Sequence, residues 1–155
     1  MTELPTETDA SGLRFVLVAA RWNEAAVHRM VDAALDTLRR QGASDATLAL
    51  WWVPGSFELP LAAQWAARGG ADAVLAFGVV LRGETEHFRL VSEAASEGLM
   101  QAALTTGVPV LDGVLSAHDV AQVEARTGGA MGNVGSQIAL AAIAMARLRH
   151  QVVPR

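Results

Sequence analysis

Apolar residues are distributed along this chain in two alternating patterns. Short continuous runs, rich in valine, leucine and alanine, are typical of strands that are buried on both faces. Between these runs, apolar residues recur every three or four positions, which is the spacing of one face of an amphipathic helix. The predicted strands cover residues 13–20, 47–53, 73–81 and 108–115. The predicted helices cover residues 24–40, 59–68, 88–107 and 134–148, and a shorter one follows residue 119.

Polar residues and glycines mark the ends of these elements. Asn23 belongs to a residue type that caps helices, and Gly42 follows the end of the same amphipathic stretch. Ser116 with Asp119 resembles a capping box for the short helix, which Gly128 and its neighbour interrupt. Alternating strands and helices require parallel pairing through right-handed crossovers, with helices on both faces. The predicted fold class is α/β, a three-layer α/β/α sandwich around a four-stranded parallel sheet.

The beginning of the chain differs from the rest. Residues 1–12 (MTELPTETDASG) are polar, and they lack the basic start and apolar centre of a secretory signal. We therefore expect a flexible N-terminal tail over residues 1–12 and a cytoplasmic location. The remaining residues, 13–155, have the length of one ordinary domain.

The composition of the chain indicates which kinds of partner it can bind. The chain is 52% hydrophobic and 18% charged, so we expect some apolar surface to meet another subunit. No apolar run approaches the roughly 20 residues of a membrane-spanning helix, and we expect no membrane partner. The net charge of −4, without a basic cluster, argues against nucleic acid. Cysteine is absent and no histidine or carboxylate group has metal-ligand spacing, so we expect no metal.

Unusual residues follow the predicted strands, and ligands bind beyond the carboxyl ends of strands in this kind of sheet. Trp22, directly after the first strand, offers a flat wall for stacking a heteroaromatic ring. Glu58 follows the second strand among apolar neighbours, where it either binds sugar hydroxyls or is an ordinary exposed acid at a helix N-terminus. These residues predict a small-molecule site without defining its chemistry.

The loop after the third strand combines features of an anion site and a proton-transfer site. Gly83 and Thr85 stand at a helix start, where backbone N–H groups favour phosphate if Glu84 points away. Helix capping by Thr85 needs no ligand. His87 either exchanges protons near neutral pH or is a surface residue of the helix. Arg126 either binds a phosphate with two hydrogen bonds or is a solvated arginine at a helix C-terminus.

Four segments together closely resemble the lumazine synthase family, also called the riboflavin synthase beta-chain family. They are residues 21–23 (RWN), 53–60 (VPGSFELP), 78–88 (GVVLRGETEHF) and 125–135 (ARTGGAMGNVG). The resemblance covers nearly everything after the tail, and it implies a flavodoxin-like fold. It also implies condensation of 5-amino-6-(D-ribitylamino)uracil with 3,4-dihydroxy-2-butanone 4-phosphate, the penultimate step of riboflavin biosynthesis, without a cofactor.

The resemblance also implies a role for each residue that matches the family's motifs. His87 matches the residue that transfers protons. The implied pyrimidine and ribityl contacts are Trp22, Asn23, Ser56, Phe57, Glu58, Val79, Val80, Leu81 and Asp112. The implied phosphate contacts are Gly83, Glu84, Thr85 and Arg126. Asp112 stands where the family often has phenylalanine or asparagine, and Val134 where many members have lysine, so substrate affinity is where we expect this chain to differ.

Family members assemble as homopentamers with sites between subunits, and some form a 60-subunit icosahedral shell. The resemblance therefore implies a pentamer, and it permits the shell and an association with riboflavin synthase. One alternative is a non-catalytic protein of the same fold that binds lumazine or flavin, or forms a scaffold. A second is a flavodoxin-like redox module, but the segment after the first strand lacks the serine- and threonine-rich phosphate loop that such a module needs.

Overall fold

The predicted strands and helices form one sheet with helices on both faces in the computed structural model, which describes residues 1–4 and 6–153. The strands are β1 Phe15–Ala20, β2 Leu48–Val53, β3 Ala73–Leu81, β4 Val110–Ala117, and a short pair, β5 Thr127–Gly129 and β6 Gly132–Asn133. The helices are α1 Glu24–Arg40, α2 Leu59–Arg68, α3 His87–Thr106, α4 Val120–Arg126 and α5 Val134–Val152. The main sheet is parallel, in the order β2-β1-β3-β4, which confirms the predicted fold class.

Alternate residues of the central strands face opposite helical layers. In β3, Leu75 and Phe77 pack in one core with residues of α1 and α5. Their neighbours Val74 and Ala76 pack in a second core with residues of α2 and α3. All four side chains are fully buried, and a strand covered on both faces must be apolar at every position. This is the physical origin of the continuous apolar runs.

Two glycines allow neighbouring helices to approach closely. Gly135 in α5 is buried against the backbone of Met30 in α1, and a Cβ atom there would clash with the Met30 carbonyl oxygen. Gly98 in α3 faces Pro60 of α2, where a Cβ atom would lie 2.7 Å from two carbons of the proline ring. Each helical layer therefore contains a contact that a larger side chain would disrupt.

The predicted capping box before α4 is wrong. Ser116 lies inside β4, and its hydroxyl donates a hydrogen bond to Ser92 of α3 at 2.9 Å. Asp119 alone caps α4, because its carboxylate accepts the Gln122 N–H at 2.9 Å. The strand continues to Ala117, so Ser116 is not available as the first residue of a helix cap.

The prediction that Asn23 caps α1 is correct for its position but not for its side chain. Asn23 occupies the N-cap position, yet its side chain makes no capping hydrogen bond. The side-chain amide instead donates to the Val79 carbonyl oxygen of β3 at 3.0 Å. A partner 56 positions away in the chain has replaced the local one.

Several strand boundaries also differ from the prediction by one or two residues. β4 begins at Val110 rather than at residue 108, because Pro109 has no N–H for the ladder and the Val108 N–H donates to the Thr106 hydroxyl. β1 begins at Phe15 rather than at residue 13. These shifts leave the order and direction of the strands as predicted.

Contacts connect the end of the predicted tail to the domain. Ala10 is fully buried, and its N–H donates to the Gln41 carbonyl oxygen at 2.7 Å. Arg147 of α5 donates to the carbonyl oxygens of Asp9 and Ser11 at 2.8 and 2.7 Å. We predict flexibility for residues 1–12 and a domain boundary at residue 13, and both stay predictions. Pro5 and residues 154–155 lie outside the described residues.

Asp9 should make the docking of this segment dependent on pH. Hydrogen bonds from the Ser11 side chain and backbone lower the pKa of Asp9. A lowered folded-state pKa gives stability that is present above the unfolded pKa and is lost as the pH falls through the folded one. We expect Asp9→Asn to lower the Tm at pH 7, with the difference from wild type lost in acid, at a pH below the lowered pKa of Asp9. Asp32→Asn is the control, and an equal Tm difference at both pH values would contradict the assignment.

Gly135→Ala should destabilise the protein by about 2 kcal/mol, because the new methyl group must push α1 and α5 apart. Denaturant unfolding would measure the loss, with Ser136→Ala in the next position as the matched control. An unfolding free energy equal to that of wild type would show that the two helices do not depend on this contact.

Candidate active site

A pocket of about 250 Å³ opens at the carboxyl end of the sheet, between the ends of β1 and β3. The chain leaves β1 toward β2 on one side and later returns to β3 on the other, so this is the point where the strand order reverses. Open α/β sheets bind ligands at such points. The pocket is lined by Trp22, Asn23, Ser56, Val79, Val80, Leu81, His87 and Val91. The structure therefore brings together seven of the predicted site residues, from the segments after β1 and β2, the end of β3 and the start of α3.

Trp22 presents a flat aromatic surface to the open side of the pocket. Its side chain is 72% exposed, which is unusual for so large an apolar group. Gly55 lies beside it, at the turn between β2 and α2. A Cβ atom on Gly55 would be 3.1 Å from the indole and 3.2 Å from the Glu58 carboxylate, so both groups border this glycine. An exposed aromatic ring near a carboxylate suits a ligand with a planar ring and hydroxyl groups.

Ser56 lies at the buried end of the same region. It begins the 3-10 turn Ser56–Glu58, and its hydroxyl lies against the backbone of Gly78, where a side chain would clash. Phe57 is 64% exposed and Glu58 is also exposed, and neither residue lines the pocket. The turn therefore contributes one buried hydroxyl to the pocket, next to two exposed side chains.

His87 is the first residue of α3 and lies on the exposed side of the pocket. Its backbone N–H donates to the Thr85 hydroxyl at 3.4 Å, but Glu86 occupies the N-cap position of α3 and makes no side-chain capping hydrogen bond. Gly83 and Glu84 precede it in an exposed loop. The N-terminal N–H groups of α3 face this loop, and the helix dipole favours an anion there.

The acidic residues near this loop are partly neutralised by an arginine of α3. Arg89 donates to Glu86 at 3.0 Å and to Glu93 at 3.1 Å. The hydrogen bonds to Glu86 and then Glu93 raise the pKa of Arg89 further above its ordinary value. The Glu86 carboxylate is thus drawn toward Arg89 along the helix, which reduces its repulsion of an anion at the start of α3.

Two predicted site residues lie away from the pocket of their own chain. Arg126 ends α4 and donates to the Gln122 carbonyl oxygen at 3.1 Å. Asp112 lies in edge strand β4, paired with Ala76, so it is about 10 Å along the strand from the pocket floor at Val79. Its carboxylate accepts hydrogen bonds from the Ser96 hydroxyl and the Val114 N–H at 3.0 and 2.9 Å. A single chain does not bring these two residues to the pocket.

One lining residue was missed as a site residue in the sequence. Val91 was predicted only as part of the apolar stripe of its helix, yet it lines the pocket one turn after His87. Residues four positions apart in a helix share a face, so its spacing from His87 could have identified it.

The described residues provide no group of three or more histidine and carboxylate side chains placed to hold a metal ion. Within the same residues, none of the helices combines the length and apolar character required to cross a membrane.

The fold and the pocket define an α/β protein with a small-molecule site at the carboxyl ends of its strands. A family model described as 6,7-dimethyl-8-ribityllumazine synthase matches residues 12–150. The chain belongs to this family, which confirms the resemblance carried by the four segments.

Relatives with the same printed name match most of the chain. A 6,7-dimethyl-8-ribityllumazine synthase of Halorhodospira halophila is 49% identical over 140 residues, covering 90% of each chain. That of Chlorobium phaeobacteroides is 43% identical over 143 residues, covering 92% of each. That of Xanthomonas campestris pv. campestris is 40% identical over 149 residues, covering 96% of this chain and 97% of its own. The roles of individual site residues stay predictions.

Proposed function

We propose that this chain is a transferase that condenses 5-amino-6-(D-ribitylamino)uracil with 3,4-dihydroxy-2-butanone 4-phosphate. The products are 6,7-dimethyl-8-ribityllumazine, phosphate and water, and the reaction is the penultimate step of riboflavin biosynthesis. The observation that carries the proposal is the pocket that unites Trp22, Ser56 and His87 in a member of this family. The names of the relatives favour a synthase over a non-catalytic scaffold.

The pyrimidine is proposed to lie against the exposed face of Trp22. Stacking on an indole is favourable for any planar heteroaromatic ring. Val79, Val80 and Leu81, at the end of β3, would line the other side of the ring. Polar groups along the 3-10 turn after β2 would receive the ribityl hydroxyls and ring, namely Ser56, Phe57 through its backbone, and Glu58.

The phosphate is proposed to bind at the start of α3, next to His87. The backbone N–H groups of Gly83 and Thr85, with the Thr85 hydroxyl, provide uncharged donors for it. Glu84 is part of this loop, and its carboxylate must turn away from the anion. Arg126 would supply the positive charge, because its guanidinium suits two parallel hydrogen bonds to phosphate oxygens.

The proposed reaction needs proton transfers but no cofactor. The 5-amino group attacks the ketone and water leaves, which gives an imine. Phosphate is then eliminated from the imine, which leaves an enol that tautomerises to a ketone. Attack by the ribitylamino nitrogen on this new carbonyl closes the ring with loss of a second water. His87 lies beside the reacting region and would move the protons in these steps. Contact between two oriented reactants supplies much of the acceleration, since effective molarities of ~10⁵ M or more are attainable.

A complete site would need two subunits. Arg126 and Asp112 lie away from the pocket of their own chain, so we propose that they reach the pocket of a neighbouring one. Exposed apolar side chains on α2 and α3 support an assembly, and they are Leu61, Trp65, Leu90, Met100 and Leu104. We propose a homopentamer in the cytoplasm, with a 60-subunit shell and association with riboflavin synthase as further levels of assembly.

Substitution of His87 and of Arg126 should separate proton transfer from phosphate binding. We expect His87→Ala to lower kcat by about 10²-fold while leaving a rate above the protein-free reaction, because orientation of the substrates remains. Arg126→Ala should raise the KM of the butanone phosphate by about 10-fold or more and change the KM of the pyrimidine little. Lumazine absorbance measures both, and Arg68→Ala, also a last-turn arginine, is the control.

The absence of any acceleration by wild type, at any substrate concentration, would overturn the proposed function. Mixing subunits would test the shared site. Co-assembly of His87→Ala and Arg126→Ala chains should restore activity if the two residues of one site come from different subunits, because some sites then carry both. No restoration after verified co-assembly would show that Arg126 serves its own chain.

A further inference from the structure

Trp22 lies between two residues that are attached to different strands. β1 stands between β2 and β3 in the sheet, and the segment Arg21–Trp22–Asn23 follows it directly. Trp22 is 72% exposed, so the packing of its own side chain does little to define its position. Its placement over the pocket therefore depends on what holds the residues on either side.

Arg21 attaches the segment to β2. Its backbone N–H donates to the Val53 carbonyl oxygen at 3.0 Å, which extends the pairing of β1 and β2 by one bond. Its guanidinium carbon lies 5.4 Å from the centre of the Trp52 ring, within the range of a cation–π contact. Glu24 accepts a hydrogen bond from the same guanidinium at 3.3 Å, which further restricts the side chain.

Asn23 attaches the segment to β3 on the opposite side. Its side-chain amide donates to the Val79 carbonyl oxygen at 3.0 Å. Its backbone has φ 59° and ψ 43°, a left-handed conformation that asparagine adopts more readily than most residues other than glycine. Within residues 1–4 and 6–153, no other residue except glycine has a positive φ. Such outliers persist where surrounding contacts hold them, and they are concentrated at functional sites.

The left-handed turn also sets the direction of the chain after Trp22. The Asn23 carbonyl oxygen accepts the N–H groups of Ala26 and Val27 at 3.1 and 3.2 Å, so α1 begins from this residue. The chain thus leaves β1, exposes Trp22 and enters the helix within three residues. A residue that avoids the left-handed region would have to change the angle between these elements.

We infer that Arg21 and Asn23 form a clamp that positions the Trp22 ring for a planar heteroaromatic ligand. The inference rests on the proposed function for the identity of that ligand, a ribitylamino-pyrimidine. In this arrangement Asn23 is a positioning residue. Its amide is directed to the Val79 carbonyl oxygen, and its effect on the ligand passes through Trp22.

A double-mutant cycle tests whether Asn23 acts through Trp22. Calorimetric titration with 5-amino-6-(D-ribitylamino)uracil would give the Kd for wild type, Trp22→Ala, Asn23→Ala and the double variant. We expect Asn23→Ala to raise the Kd by about 10-fold in the wild-type background and to have almost no effect once Trp22 is absent. The KM of the butanone phosphate should remain unchanged in Asn23→Ala, whereas a general loosening of the site would raise the KM of both substrates.

Two further variants separate the parts of the clamp. Asn23→Gly keeps access to the left-handed backbone and loses the amide, so it should bind the pyrimidine more tightly than Asn23→Ala. It also provides the measurement if Asn23→Ala does not fold. Arg21→Met keeps the backbone hydrogen bond to Val53 and loses the contact with Trp52, and it should weaken pyrimidine binding through Trp22 alone.

Multiplicative effects of Asn23→Ala and Trp22→Ala on the Kd would overturn the clamp, since Asn23 would then contribute independently of the ring. An unchanged Kd in Asn23→Ala would overturn it as well. Either result would leave the proposed function intact if wild type still forms lumazine. Failure of wild type to bind the pyrimidine or form lumazine would instead overturn the proposed function.

Discussion

Parallel pairing of β1 with β2 on one side and β3 on the other is the interaction on which the candidate site depends. Because the three strands run in the same direction, the loops that follow them emerge at one edge of the sheet. Trp22, Ser56 and His87 meet there although they are far apart in the chain. The pairing is held by apolar cores on both faces, so the strands can spare no position for polar chemistry. The polar side chains that line the pocket therefore come from the segments after β1 and β2 and from the first turn of α3.

The architecture could be predicted because the burial of each element determines the pattern of apolar residues along its sequence. A strand covered on both faces must be apolar throughout, and a helix covered on one face must be apolar every three or four residues. β3 shows the first rule and α1 the second. The loops that border the pocket could also be predicted, since right-handed parallel topology defines which loops share an edge. The end of β3 was assigned to the site only through the family resemblance, and Val91 was missed. For Trp22, Thr85 and His87, spacing alone did not decide between a role in the site and an ordinary structural role. The family resemblance then implied a chemical role for each.

Features that depend on backbone acceptors or on distant partners could not be predicted. The Asn23 side chain donates a hydrogen bond to a backbone carbonyl oxygen of β3. Every residue has such a carbonyl, so the sequence does not show which one will be the partner. Ser116 matched a capping pattern, but the length of β4 is set by its pairing with β3, which extends to Ala117. The β5–β6 pair is too short to show periodicity. Arg126 does not line the pocket of its own chain because of where α4 packs, and no local sequence motif predicts that position.

The exposure of Trp22 has a consequence for how this protein can change over evolutionary time. Its indole contributes little to either apolar core, so exchange for another aromatic residue should cost little folding stability. The strands beneath it tolerate far less variation, because each buried methylene group contributes to the fold. If the proposed function holds, recognition of the ring and maintenance of the fold depend on separate residues. Ligand preference can drift at the surface while the scaffold below it stays under constant selection.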